Sequence, residues 1–161
     1  MRVKGTVFKS TIKFIKKHWG ETGFQKILSN LTDEESTLLS LTVSNALWYP
    51  FEVYMNFSMA ILKEFGSGDL SLLRRIGGYS ALEGLKTGYK ILFRMGSPFF
   101  IAKIAQKAYS MYFDVGKLEL IEENHDEKYV ILKLSEISEI HDFHLERISG
   151  WIEQTFVMTG G

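Results

Sequence analysis

The chain has 161 residues, about one domain's worth, with 45% hydrophobic and 14% aromatic residues. Such a composition excludes a disordered chain. Its 19 basic and 19 acidic side chains cancel, which gives no general field for nucleic acid. The absence of cysteine excludes disulfide scaffolds, cysteine nucleophiles, thiolate zinc sites and iron–sulfur clusters.

In chain order, Phe8, Ile12, Ile15 and Trp19 fall at helical spacing, and Gly20 supplies a stop. A short second helix carries Phe24, Ile27, Leu28 and Leu31 on one side. Thr32 with Glu35 forms a capping-box pattern that opens a helix through Leu38, Leu39 and Leu41. Trp48-Tyr49-Pro50 is the sharpest punctuation, because proline suits the first turn of a helix. The following stretch, Phe51, Tyr54, Phe57, Ile61 and Phe65, keeps helical spacing up to Gly66. Asp69 is an N-cap for Leu70, Leu73 and Ile76, and Gly77-Gly78 reads as a break. A helix is expected over Ser80–Met95, with Leu82, Leu85, Tyr89, Leu92 and Phe93 inward. Ser97-Pro98 then pairs an N-cap with proline at the first helical position, before Phe99, Ile101, Ile104, Ala105 and Ala108.

Beyond Ala108 the period shortens. Tyr109–Val115 reads as a strand by its aromatic content, and Leu118, Leu120, Tyr129 and Ile131 alternate with polar neighbours around an Asn124-His125-Asp126 hairpin loop. Ile137–Val157 returns to helix, with Ile140, Phe143, His144, Ile148, Trp151, Ile152 and Phe156 facing one way. The expectation is a single α+β domain over 1–161: a helical N-terminal two thirds, then an antiparallel sheet of about three strands carrying a C-terminal helix. Such a sheet has an open edge, which predicts a further strand after Gly161 or one lent by a partner.

Charge is unevenly spread. Residues 1–27 hold seven Lys or Arg against Glu21, and residues 118–153 hold ten acids against Lys128, Lys133 and Arg147. This polarity suits a homodimer or a steered partner, or simply two solvated faces. The basic first helix suits either a core-packed apolar face or an anionic membrane surface. No apolar run approaches the length of about 20 residues that spans a bilayer, and the N-terminus lacks a signal-peptide core, so a cytoplasmic location is expected.

Candidate chemistry is sparse. His141 and His144 stand three apart on a helix near Asp142 and Glu146, which is the one pattern suggesting a metal-dependent enzyme, and it lacks HExxH-type spacing. Gly66-Ser67-Gly68-Asp69 lacks the later glycine and lysine of a nucleotide loop. No Gly-x-Ser-x-Gly elbow exists, and Glu122-Glu123 lies beside a turn. No catalytic residue, cofactor or metal is assigned. The dense aromatic set suits a core or an apolar ligand pocket, and the candidate pocket residues are Trp48, Tyr54, Phe57, Tyr89 and Phe93.

The order of motifs carries a resemblance. Val3-Lys4-Gly5-Thr6-Val7-Phe8, Trp48-Tyr49-Pro50, Gly96-Ser97-Pro98-Phe99 and Tyr112-Phe113-Asp114-Val115-Gly116 resemble an uncharacterised bacterial family first noted as a paralogous set in myxobacteria. More distantly, Gly5-Thr6-Val7 and Ser97-Pro98 leading through Ile101-Ala102-Lys103 are similar to the haem-nitric-oxide-binding, vinyl-reductase-type sensor and TRAPP-subunit superfamily. That resemblance implies a pocket-forming fold, several of whose members enclose an apolar ligand or acyl chain. It does not carry haem across. The helix that would hold a proximal histidine, Ser80–Met95, has none, with Thr87 nearest the position. Tyr112 is not followed by the Ser and Arg of the propionate clamp, and no cysteine is present to be acylated. The expected function is therefore a non-enzymatic domain that binds an apolar small molecule or signals, without haem. The alternative is a protein-interaction scaffold acting as a homodimer or adaptor.

Overall fold

The structure is a computed structural model that describes residues 1–86, 97–137 and 141–160. Strand β1 (Arg2–Lys4) leads into helix α1 (Gly5–Leu28) and helix α2 (Asp33–Ser40). Strand β2 (Trp48–Pro50) runs into helix α3 (Phe51–Ile61), which continues as a π turn over Leu62–Gly66. Helix α4 (Ser71–Lys86) follows, and then two short helices, α5 (Pro98–Lys103) and α6 (Ala105–Ser110). Strands β3 (Lys117–Asn124) and β4 (Tyr129–Ser135) precede the last helix, α7 (Asp142–Met158).

The three-stranded sheet is not what forms. Among the described residues there are two antiparallel pairs, β1 with β2 and β3 with β4. The opening residues are extended: Val3 pairs with Tyr49 and forms a bridge to Phe113. Lys4 N–H donates to the Tyr112 carbonyl at 2.8 Å, and the Arg2 guanidinium meets Asp114 at 2.6 Å. The N-terminus is thus stitched between the Trp48 block and residues 112–114. Tyr109–Val115 is correspondingly no strand. Tyr109 closes α6, and Phe113 folds back beneath it with their rings 5.0 Å apart, so a four-residue spacing puts both aromatics on one buried face. Burial in a shared core outweighed the strand preference of aromatic side chains.

Local signals worked where the chemistry was local. Gly20, with φ of 68°, breaks α1 into two helical pieces. Thr32 and Glu35 complete a reciprocal capping box, and Ser97 Oγ accepts from Phe100 N–H with Pro98 at the first position. Asn124 Oδ1 accepts from the N–H groups of Asp126 and Glu127 to shape the hairpin loop.

Gly77-Gly78 does not break its helix, since α4 runs straight through. A Cβ at Gly77 would lie 2.0 Å from the Arg147 carbonyl oxygen, and one at Gly150 would lie 1.9 Å from that of Arg74. These glycines let α4 and α7 touch backbone to backbone, and Arg74 clasps Glu146 (2.7 Å) and Glu153 (2.6 Å) across the seam. The core lies between α1, α3 and α4, where Phe8, Ile15, Phe57, Ile61, Leu73 and Ile76 are essentially inaccessible. Among the described residues no helix is long and apolar enough to cross a membrane.

Candidate functional site

Two polar side chains of α7 enter this core one helical turn apart. His144 is 1% exposed and Arg147 is 4% exposed. The backbone seam with α4 fixes the rotation of α7, and the i, i+3 spacing turns both toward α1 and α3.

His144 is fully engaged. Its Nδ1 lies 3.1 Å from the Tyr54 hydroxyl and its Nε2 lies 2.9 Å from the Tyr109 hydroxyl. A neutral imidazole has one N–H and one lone pair, so one tyrosine accepts and the other donates. Phe51 and Phe113 close over the ring edge-on. Burial, with the Arg147 charge as a second cause, pushes the His144 pKa down to about 3. Burial raises both phenols, Tyr54 to about 12 against the opposing pull of Arg147, and Tyr109 further with help from Tyr54. All three groups are therefore uncharged near neutral pH.

Arg147 is different. Its Nη2 donates to Thr11 Oγ1 at 2.5 Å, and its guanidinium stands 5.0 Å from the Tyr54 ring centre. Burial lowers its pKa, with Tyr54 the opposing influence, yet a guanidinium remains charged at neutral pH. No carboxylate pairs with it among the described residues, and its Nη1 has no hydrogen-bond partner there.

Next to this cluster lies a cavity of about 1040 Å³, partly open to solvent and lined mainly by apolar surface. Ligand sites commonly run from about 300 to about 1,000 Å³, so this one is large enough for a sizeable molecule. One wall is the face of α1 from Thr6 through Ser10 to Lys17. Lining it too are α4 at Gly77 and Ser80, the α6 end at Ala108 and Tyr109, α7 at Arg147, Ile148 and Trp151, and the segment Leu41–Val43 after α2.

Of the five aromatic residues expected to line a pocket, none of those described lines this cavity. Tyr54 and Phe57 are each 1% exposed, inside the core. Tyr54 binds His144, and Phe57 stacks beside Phe8 at 6.4 Å. Trp48 sits half-buried at the strand pair, with Lys4 Nζ 4.6 Å above its ring. Tyr89 and Phe93 lie outside the described residues, as does Thr87. The aromatics that do line the cavity include Tyr109, Tyr112, Phe113 and Trp151. The suggested metal pair is not convergent on any ion-sized gap: both His144 nitrogens are taken by tyrosines, and Glu146 is clasped by Arg74. Among the described residues no three His, Cys, Asp or Glu side chains gather at metal-binding distance.

Sequence reasoning missed Arg147. The signal was present: it lies three residues after His144 and four before Trp151, on the stripe that is otherwise apolar. No protein-family model matches the chain, and no curated protein matches it.

Proposed function

We propose that the protein is a non-enzymatic binding or signalling domain of the cytoplasm that takes up a small molecule with an apolar body, without haem. The observation that carries this reading is the cavity of about 1040 Å³ between α1, α4, α6 and α7. A space of this size, partly open to solvent and lined mainly by apolar surface, is large enough to take up such a molecule. The buried imidazole supports a structural role over proton transfer, because both its nitrogens are engaged and it does not titrate near neutral pH. The more distant resemblance to a pocket-forming superfamily points the same way.

Native mass spectrometry of freshly purified protein, compared with its denatured mass, tests the reading. The expected result is a reproducible excess of a few hundred daltons per chain that is lost on denaturation. A native mass equal to the bare chain, with no uptake from a lipid and metabolite extract, would contradict it.

A second reading, a homodimeric scaffold, is favoured by the β3–β4 hairpin. It pairs with no third strand among the described residues and leaves Ile121 57% and Ile131 46% exposed. Unpaired edges with apolar side chains invite pairing with a second copy. Sedimentation that shows a strict monomer at every concentration would remove this reading.

A further inference from the structure

We infer that the cavity takes an anionic amphiphile, whose apolar body lies against the apolar lining and whose charged head rests among the lysine ammonium groups of α1. The inference rests on the cavity being a binding site, and it names the chemistry of what binds there. The chain as a whole is neutral, with 19 basic and 19 acidic side chains. Its charges are nevertheless sorted at this cavity. Lys4, Lys9, Lys13, Lys16 and Lys17 all line it, and Glu83 is the one carboxylate among the described lining residues.

Local pairing does not account for that excess. Glu83 is joined to Lys13, and Glu21, outside the lining, reaches Lys16 at 2.7 Å. Lys4, Lys9 and Lys17 form no ion pair among the described residues. Lys4 and Lys17 stand over the rings of Trp48 and Tyr79, contacts that leave their charge in place. The arrangement also works against the helix. From Gly5 to Gly20 α1 contains no acid, and Lys9, Lys13 and Lys17 follow one another at i, i+4 steps. Like charges at that spacing repel, and a face that is merely solvated is better served by Glu–Lys pairs at the same step.

The lining suits a ligand with two unlike ends. A lysine covers a wall with its methylene stem and keeps its ammonium group in water. Lys9, Lys13, Lys16 and Lys17 are exposed, so their charges stand on the solvent side of the cavity. Ile12, Phe24, Leu39, Ile148 and Trp151 are buried or half-buried and supply apolar surface for a chain or ring system. A neutral ligand would leave the ammonium groups unused, and a cationic one would be repelled.

The test uses the full chain, freed of bound lipid, and three probes that share one fluorophore and one chain: dansyl-labelled undecanoic acid, its methyl ester, and the matching dansyl undecylamine. Wild type should bind the acid at least about threefold more tightly than the ester, and the amine at least about threefold more weakly than the ester. Salt at about 1 M should erase these differences, because exposed charges are screened. Lys9→Glu combined with Lys17→Glu leaves lysines and carboxylates equal in number on the wall and adds favourable i, i+4 pairs to α1, so folding is not endangered. In that variant acid and ester should bind within about twofold of one another, with the ester's affinity unchanged. If acid and ester bind wild type alike, or salt leaves the preference intact, or the double variant keeps it, the anionic inference is overturned while the cavity reading stands. Phosphatidylserine vesicles that carry the protein down, when acid is bound no better than ester, would assign the lysines to a membrane surface and likewise overturn it. If no probe binds at all, the cavity reading itself falls.

Discussion

His144 and Arg147 stand one turn apart on the same helix, equally buried, and the molecule treats them oppositely. Around His144 every polar atom has a partner, supplied by Tyr54 and Tyr109. Around Arg147 the described residues provide one hydroxyl and one aromatic face, and among them an N–H group and the charge find no further partner. A satisfied buried network contributes to folding, whereas an unsatisfied one costs stability and is retained for something else. On this contrast His144 is satisfied within the scaffold, and Arg147 is a buried charge with no carboxylate partner among the described residues.

The largest expected effect breaks the frame that holds both. Gly150→Ala would drive a methyl group into the Arg74 carbonyl, which the 1.9 Å approach forbids. It should cost about 3 kcal/mol or more, or prevent folding, in a denaturant melt. Next, His144→Leu removes the shared partner of two buried hydroxyls and should destabilise by about 3 kcal/mol. Arg147→Met goes the other way: it removes a charge with no counter-ion, and it should leave stability unchanged or raise it by up to about 2 kcal/mol. If both substitutions destabilised equally, the contrast between the satisfied imidazole and the unpaired guanidinium would collapse.

The same contrast has a pH signature. His144 titrates at about 3 when folded against its ordinary value of 6.5, so the unfolded chain takes up the proton first. This contribution to stability is complete above pH 6.5 and declines as the pH falls below it. From pH 6.5 to 4.5 the loss from this group should approach about 2.5 kcal/mol, added to that of carboxylates that begin to protonate toward the lower end. His144→Gln should flatten that slope in urea melts taken across the interval. An identical slope in the variant would show that the imidazole is not held neutral. The smallest effect expected is that of Thr6→Val, which exchanges an unpartnered hydroxyl for a methyl group and should move stability by less than about 1 kcal/mol.

What could be read from the sequence was whatever neighbours in the chain decide. The Thr32–Glu35 box, the Ser97-Pro98 start, the Asn124 loop and the Gly20 break each depend on residues within four positions, and each forms. What could not be read depends on distant partners. Gly77-Gly78 looked like punctuation because nothing local shows that α7 presses against it. Tyr109–Val115 looked like a strand because its aromatic content hides the fact that Tyr109 and Phe113 share His144. The site suffered most from the same blindness. Aromatic density drew attention to Tyr54 and Phe57, which fill the core, while the one cation on an apolar stripe, Arg147, passed as part of a charged segment.

The measurement that tests the central claim most directly is a titration of the lipid-free protein with Nile red, a neutral dye that brightens in apolar surroundings. It is run beside Ala108→Trp, which fills the cavity from the α6 wall and is checked for folding by circular dichroism. The account predicts saturable binding of the dye to wild type and its loss in the filled variant. Binding unchanged by the added indole, or no saturable binding to wild type, would contradict it.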